Sequence, residues 1–139
     1  MEKSEQENHE QPHPEQTLEH PQSESTAQMK AFSWLTDRFS IRGKALSLYK
    51  RGMSKAKKHD HRGAIDDYTT TIGMPDTPAN VKAMVLYNRA LVYLATGELR
   101  KGADDLDAVM AMDEAPASVK TRVREKLAKR EIRSRKSNV

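Results

Sequence analysis

The chain has 139 residues, of which 36% are hydrophobic, 32% charged and 5% aromatic, and its formal net charge is +4. This length suits one small domain, and the absence of cysteine excludes disulfides, thiolate zinc sites and a cysteine nucleophile. No apolar run approaches the ~18 residues of a membrane span, and the N-terminus has no secretory signal. We therefore expect a cytoplasmic protein without a membrane partner.

The N-terminal stretch 1–30 is acidic and polar. It carries seven Glu and two Lys, a net charge of −5, whereas residues 31–139 carry 22 Lys and Arg against 13 Asp and Glu, a net charge of +9. Glu, Gln, His, Pro and Ser dominate this stretch, and such a composition cannot bury enough apolar surface to offset the entropy of ordering. The sequence predicts a disordered acidic tail over residues 1–30 and a helical domain over residues 31–139.

An aromatic segment opens the predicted domain. Residues 31–39 (AFSWLTDRF) contain both Phe residues and the only Trp of the chain. Such side chains are normally buried, so the segment is interpreted either as an N-terminal capping helix or as a docking segment.

The rest of the chain contains an internal repeat with a period of 38. Of the 39 residue pairs that begin with Lys44 and Lys82, 13 are identical, where chance gives about two or three. Apolar residues recur at helical spacing in both units, and no segment alternates with period two for long. We predict an all-α chain with repeats over about 40–76 and 77–114 and a capping helix over about 116–135.

Each repeat is expected to form two helices that cross closely. Small residues allow the close approach of two helix backbones, and they occur at Gly52, Ala64, Ala90 and Gly102. Thr77 is expected to cap a helix that begins at Pro78. The paired acids Asp66–Asp67 and Asp104–Asp105 are interpreted as favourable charges at helix starts.

These helix pairs resemble the tetratricopeptide repeat (TPR) family. The second unit carries the pattern through the run Tyr87–Gly97 (YNRALVYLATG) and then Gly102–Ala103, Leu106 and Val109, and the first unit departs from it at Lys55 and His59. The resemblance implies a short, right-handed superhelical stack of antiparallel helix pairs, a TPR-like α-solenoid. The period exceeds the usual 34 by four residues, about one helical turn. This predicts either a longer first helix, beginning near Pro78 or Pro116, or a longer loop.

The resemblance also implies a concave groove lined by the first helix of each unit and by the last helix. Its residues in this chain would be Leu46, Tyr49, Met53, Met84, Tyr87, Asn88, Leu91, Leu94, Arg122 and Lys129. Such a surface suits a peptide or helix that has apolar and some acidic side chains. Two alternatives stay open: the aromatic segment of the same chain covers these side chains, and Asn88 makes a hydrogen bond inside the stack rather than to a ligand.

We therefore expect a non-enzymatic module that binds another protein. The turn His59–Asp60–His61 lacks a third metal ligand, and no catalytic arrangement or phosphate-binding loop is discernible, so no cofactor is expected. One alternative is a nucleic-acid-associated protein that acts through its basic C-terminal helix. Another is a self-associating assembly module, because two repeats are marginally stable alone.

Overall fold

The computed structural model describes residues 22–138, which form five α-helices and no strand. The helices are α1 Gln22–Lys57, α2 His61–Gly73, α3 Ala79–Ala95, α4 Leu99–Ala111 and α5 Ala117–Ser137. The all-α prediction is thereby confirmed for this part of the chain. None of these five helices is long and apolar enough to cross a membrane.

The period of 38 is preserved in the helix boundaries. Both α2 and α4 have 13 residues, and each boundary of α4 lies 38 positions after that of α2. Helices α3 and α5 also begin 38 positions apart, each after a proline. With its 17 residues, α3 is one turn longer than its partner, so the longer-helix alternative accounts for the long period.

Adjacent helices pack as two pairs, and α3 of the second pair also contacts the first pair. Helix α1 packs on α2 and α3 on α4, while α3 also contacts α1, α2 and α5. The short connections make each pair antiparallel. Two core clusters result: Val81, Val85 and Val92 of α3 join the first, and Ala83, Leu86 and Ala90 join the second. Apolar side chains of α3 thus stabilise both pairs.

Each pair has one glycine and one alanine where its helices cross, in exchanged positions. Gly52 on α1 and Ala64 on α2 correspond, one period later, to Ala90 on α3 and Gly102 on α4, and all four are buried. An ideal β-carbon on Gly102 would lie 3.2 Å from the carbonyl oxygen of Ala90, and one on Gly52 would lie 2.5 Å from the ring of Tyr68. The predicted close approach to a neighbouring helix backbone is confirmed at Gly102, whereas Gly52 makes room for the side chain of Tyr68.

The turns between paired helices share one backbone conformation. His59 has φ 62° and Gly97, its equivalent, has φ 84°, so both residues adopt the left-handed conformation that commonly ends helices. Glycine adopts it without strain. The turn at His59 is therefore strained by its β-carbon, whereas the turn at Gly97 is not.

Loop Met74–Pro78 corrects the predicted cap of α3. The N-cap is Pro78, without a side-chain hydrogen bond. The Thr77 hydroxyl instead donates to the carbonyl oxygens of Thr71 and Met74. Thr77 thus holds the loop against the end of α2, where the Thr71 carbonyl oxygen also accepts the backbone N–H of Met74.

Helix α1 extends at its N-terminal end far beyond α2, the helix with which it pairs. It begins at Gln22, within the range predicted as a tail, and residues 1–21 of that tail lie outside the described residues. From Met29 to Lys44 every described side chain is exposed except the half-buried Ile41, and the core begins at Ala45. The aromatic segment is therefore the N-terminal part of α1, and its Phe32 and Phe39 are about 70% exposed, at 69% and 71%.

Candidate functional site

The residues predicted for the groove lie on three helices that are neighbours in the fold. Helix α1 carries Leu46, Tyr49 and Met53, helix α3 carries Met84, Tyr87, Asn88, Leu91 and Leu94, and helix α5 carries Arg122 and Lys129. Helix α3 contacts both α1 and α5, so it is a neighbour of the two other helices that carry predicted groove residues. The structure divides these ten residues into a buried part and an open part.

Tyr49 and Asn88 form a link between the first and second repeats. The amide of Asn88 donates to the Tyr49 hydroxyl at 2.8 Å and to the carbonyl oxygen of Met84 at 2.9 Å. Tyr49 is only 6% exposed, and its ring lies 6.2 Å from that of Tyr68. Burial raises the pKa of Tyr49, while the hydrogen bond from Asn88 and the charge of Arg122 oppose the rise. Tyr49 therefore offers little surface to a partner, and Asn88 makes the hydrogen bond inside the stack.

The other predicted groove residues near this link range from half-buried to exposed. Leu46 and Met53 are half-buried against the first core cluster, and Tyr87 packs against the second. Met84 is 37% exposed, and Arg122 is exposed on the side of α5. This part of the predicted groove is a shallow surface rather than a cavity.

The remaining predicted residues meet in an open cleft at the end of the stack. Leu91, Leu94 and Lys129 line this cavity of about 1030 Å³ together with Leu99 of α4 and Leu127 of α5. We call it the terminal cleft. Leu99 is 56% exposed although it is a large apolar residue at a helix start. The apolar floor of the cleft comes from three helices, and no described segment covers it.

The rim of the terminal cleft is basic. Lys126, Lys129, Arg130 and Arg133 line it, against the single acid Glu131, whose carboxylate pairs with Arg135 one turn along α5. An apolar floor beneath several cations favours a ligand that has apolar and acidic groups.

Sequence reasoning missed Leu99, Leu127 and Arg130 as members of one site. Helical periodicity by itself places Leu99 and Leu127 only on the apolar faces of their own helices. The available signal was Leu99 itself, because the first repeat has His61 at the equivalent position. An apolar side chain at the start of only one of two equivalent helices indicates a surface that the repeat itself does not explain.

Two buried aspartates correct the interpretation of the acidic pairs. Asp67 accepts hydrogen bonds from Arg51 at 2.6 and 2.8 Å, and Asp105 accepts from Arg89 at 2.7 and 2.8 Å. Neither α2 nor α4 has an acid in its first turn, so the helix dipole does not explain them. The guanidinium of Arg51 lowers the pKa of Asp67. Both pairs hold the two helices of a repeat together.

This ion pairing also had a signal in the sequence. The arginine and the aspartate both recur at the period of 38, and in both repeats they are 16 residues apart. The second pair reaches further, because Arg89 also donates to the Thr69 hydroxyl on α2 at 2.9 Å. The arrangement is structural, since each carboxylate is already satisfied by its arginine.

The His59–Asp60–His61 turn holds a helix cap. The Asp60 carboxylate accepts from the backbone N–H of Gly63 at 2.9 Å, which is a normal N-cap. Among residues 22–138 there is no group of three or more His, Asp or Glu side chains placed to hold a metal ion.

The chain was compared with protein-family models, with curated proteins and with solved structures, and none of the three comparisons found a match. The resemblance to the TPR family therefore depends on the features of this chain alone. Those features are the repeat with its period of 38, the small residues at the helix crossings and the order of packed helix pairs.

Proposed function

We propose that this chain is a non-enzymatic protein-interaction module of the TPR type. Its helix pairs would continue the same right-handed superhelical stacking from one repeat to the next. The constant offset of the helix boundaries supports this proposal, because equal repeats related by one operation generate a solenoid. So does the contact of α3 with both α1 and α5, which is the neighbour relation expected of the first helices in such a stack.

The observation that carries the proposed function is the terminal cleft. Leu99 is exposed there, Leu91, Leu94 and Leu127 are half-buried, and all four lie beside the bases of α5. A partly exposed apolar surface of this kind indicates an interaction site. We propose that it holds a peptide or helix of a protein partner, with leucine contacts supplying affinity and with Lys129 and its neighbours fixing orientation on acidic side chains. In this proposal the module works in the cytoplasm and needs no cofactor.

Capture from native lysate with matched variants tests this function. Leu99→Ser removes an exposed floor side chain and Lys129→Glu reverses a rim charge, while Arg124→Glu makes the same reversal on an exposed part of α5 outside the cleft. We expect the first two variants to lose the proteins that the wild-type chain and the Arg124→Glu variant both recover.

Two results would overturn the proposal. If Leu99→Ser and Lys129→Glu recover the same proteins as the wild type, the terminal cleft is not the binding site. If nuclease treatment releases all bound material and both charge reversals weaken binding equally, the basic α5 acts on nucleic acid instead, because phosphate contacts depend on total charge rather than on one cleft.

A further inference from the structure

The projecting part of α1 carries an apolar stripe that nothing in the described chain covers. Met29, Phe32, Leu35 and Phe39 follow one another at intervals of three or four residues, and their exposed fractions range from 44% to 71%. This spacing places all four on one face of the helix. We call this face the α1 stripe.

A helix of this kind is poorly stabilised alone. Residues 22–44 span about 35 Å at the usual rise of an α-helix, and most of a helix's stability in proteins comes from packing of its apolar face rather than from helix propensity. The α1 stripe exposes about 500 Å² of side-chain surface if a whole aromatic side chain contributes about 150–250 Å². Burial of the α1 stripe against another surface would therefore stabilise the projecting segment as a helix.

The terminal cleft complements the α1 stripe in apolar character and in the charge around it. It offers an apolar floor to a helix with large side chains, and it lies beside α5. Residues 118–139 contain nine bases and two acids, whereas residues 1–30, which lead into the stripe, have a net charge of −5. The α1 stripe thus follows an acidic stretch of the chain, whereas the terminal cleft lies beside a basic helix, and opposite charges favour association of the two surfaces.

The α1 stripe of a chain is held away from its own terminal cleft. Helix α1 is continuous from Gln22 to Lys57, and its body packs on α2 and α3 but makes no contact with α5 in the described residues. A straight helix fixed at its C-terminal half cannot fold back over the far end of the stack. The occupant must therefore come from another molecule.

We infer that the α1 stripe of one copy docks in the terminal cleft of a second copy, so that the chain assembles head to tail. This inference depends on the terminal cleft being the binding site, as proposed above. Burying the stripe and an equal area of cleft removes about 1000 Å² from water, the lower bound for a specific interface. The net negative charge of residues 1–30 and the net positive charge of residues 118–139 favour this contact. Because the two surfaces differ, the contact is heterologous and forms rings or open chains.

A complementation experiment tests this contact. The stripe variant Phe32→Gln/Phe39→Gln keeps a good helix former at both sites and leaves the cleft intact. The cleft variant Leu99→Ser/Lys129→Glu leaves the stripe intact. Sedimentation velocity and light scattering over a wide concentration range report the mass of each, with circular dichroism to confirm that both fold.

The wild-type chain should associate as its concentration rises, and each variant alone should lose at least tenfold in association. An equimolar mixture should form a one-to-one dimer through the stripe of the cleft variant and the cleft of the stripe variant. The control Lys30→Gln, at an exposed position on the face of α1 opposite the stripe, should associate like the wild type. High salt should weaken association, because part of the attraction is between the acidic N-terminus and α5.

Several outcomes would overturn the inference. A wild-type chain that stays monomeric refutes it, and so does binding of that monomer to vesicles of zwitterionic and anionic lipid, which would assign the stripe to a membrane surface. A cleft variant that still associates like the wild type shows that stripes pair with stripes. A mixture that stays monomeric refutes the stripe–cleft contact. If lysate capture nevertheless depends on Leu99 and Lys129, the cleft binds a different protein and the proposed function stands.

Discussion

The exchange of glycine and alanine between the two repeats predicts an energetic coupling between Gly52 and Tyr68. A β-carbon on Gly52 would lie 2.5 Å from Cε1 of Tyr68, and Tyr68 is 1% exposed, so its ring has no free space to enter. In the second repeat the equivalent residues are Ala90 and Leu106. The smaller Leu106 accepts an alanine opposite it. Gly52 is therefore required by the size of Tyr68.

The magnitude follows from two opposing contributions. Overpacking a filled core costs about 1–3 kcal/mol, and alanine gains up to about 1 kcal/mol over glycine inside a helix. Gly52→Ala should therefore lower the free energy of unfolding by about 1–2 kcal/mol. Gly43→Ala is the matched control, because a β-carbon there meets nothing within 4 Å. It should not destabilise the protein and should gain up to about 1 kcal/mol.

A double-mutant cycle isolates the contact. Tyr68→Leu alone should destabilise by about 1–3 kcal/mol, because it leaves a cavity. The double variant Gly52→Ala/Tyr68→Leu reproduces the combination of the second repeat. Its loss of unfolding free energy should be smaller than the sum of the two single losses by at least about 1 kcal/mol. Urea unfolding followed by circular dichroism measures all three values. Additive effects would refute the idea that Tyr68 dictates Gly52.

Two further predictions concern the turn after α1 and the buried ion pair. His59→Gly should raise the free energy of unfolding by about 0.5–1 kcal/mol, because it removes the strain of a left-handed residue with a β-carbon. Thermal unfolding measures this gain, and the control His59→Ala, which keeps a β-carbon, should not show it. Equal gains in the two variants would contradict the idea that His59 is strained. Arg51 lowers the pKa of Asp67, so this carboxylate stabilises the fold above its unfolded pKa of about 3.9, and that stability is lost as the pH falls through the lower, folded value. The stability difference between the wild type and Asp67→Asn should therefore shrink from about pH 5 downwards in acid unfolding curves, and a difference independent of pH would contradict the pairing.

Only part of the candidate site was accessible to sequence reasoning. The repeat, together with the family resemblance, predicted that Leu91, Leu94 and Lys129 share a face, and these three residues line the terminal cleft. It also placed Tyr49 on this face, although Tyr49 is buried. Tyr49 packs beside Tyr68, whose ring centroid lies 6.2 Å from its own. This contact joins two helices, so the periodicity of either helix does not predict it.

The sequence by itself determined the all-α class, the period of 38 and the small residues at the helix crossings. These are local properties, because helical periodicity and repeat spacing act over a few turns of chain. Only the tertiary structure showed that Arg51 and Arg89 pair with buried aspartates and that Leu99 and Leu127 meet in one cleft. It also showed that the aromatic segment, interpreted as a capping helix or a docking segment, lies on the projecting part of α1 with Phe32 and Phe39 exposed. Such contacts join residues on different helices, so they depend on how the helices pack rather than on any pattern within one of them.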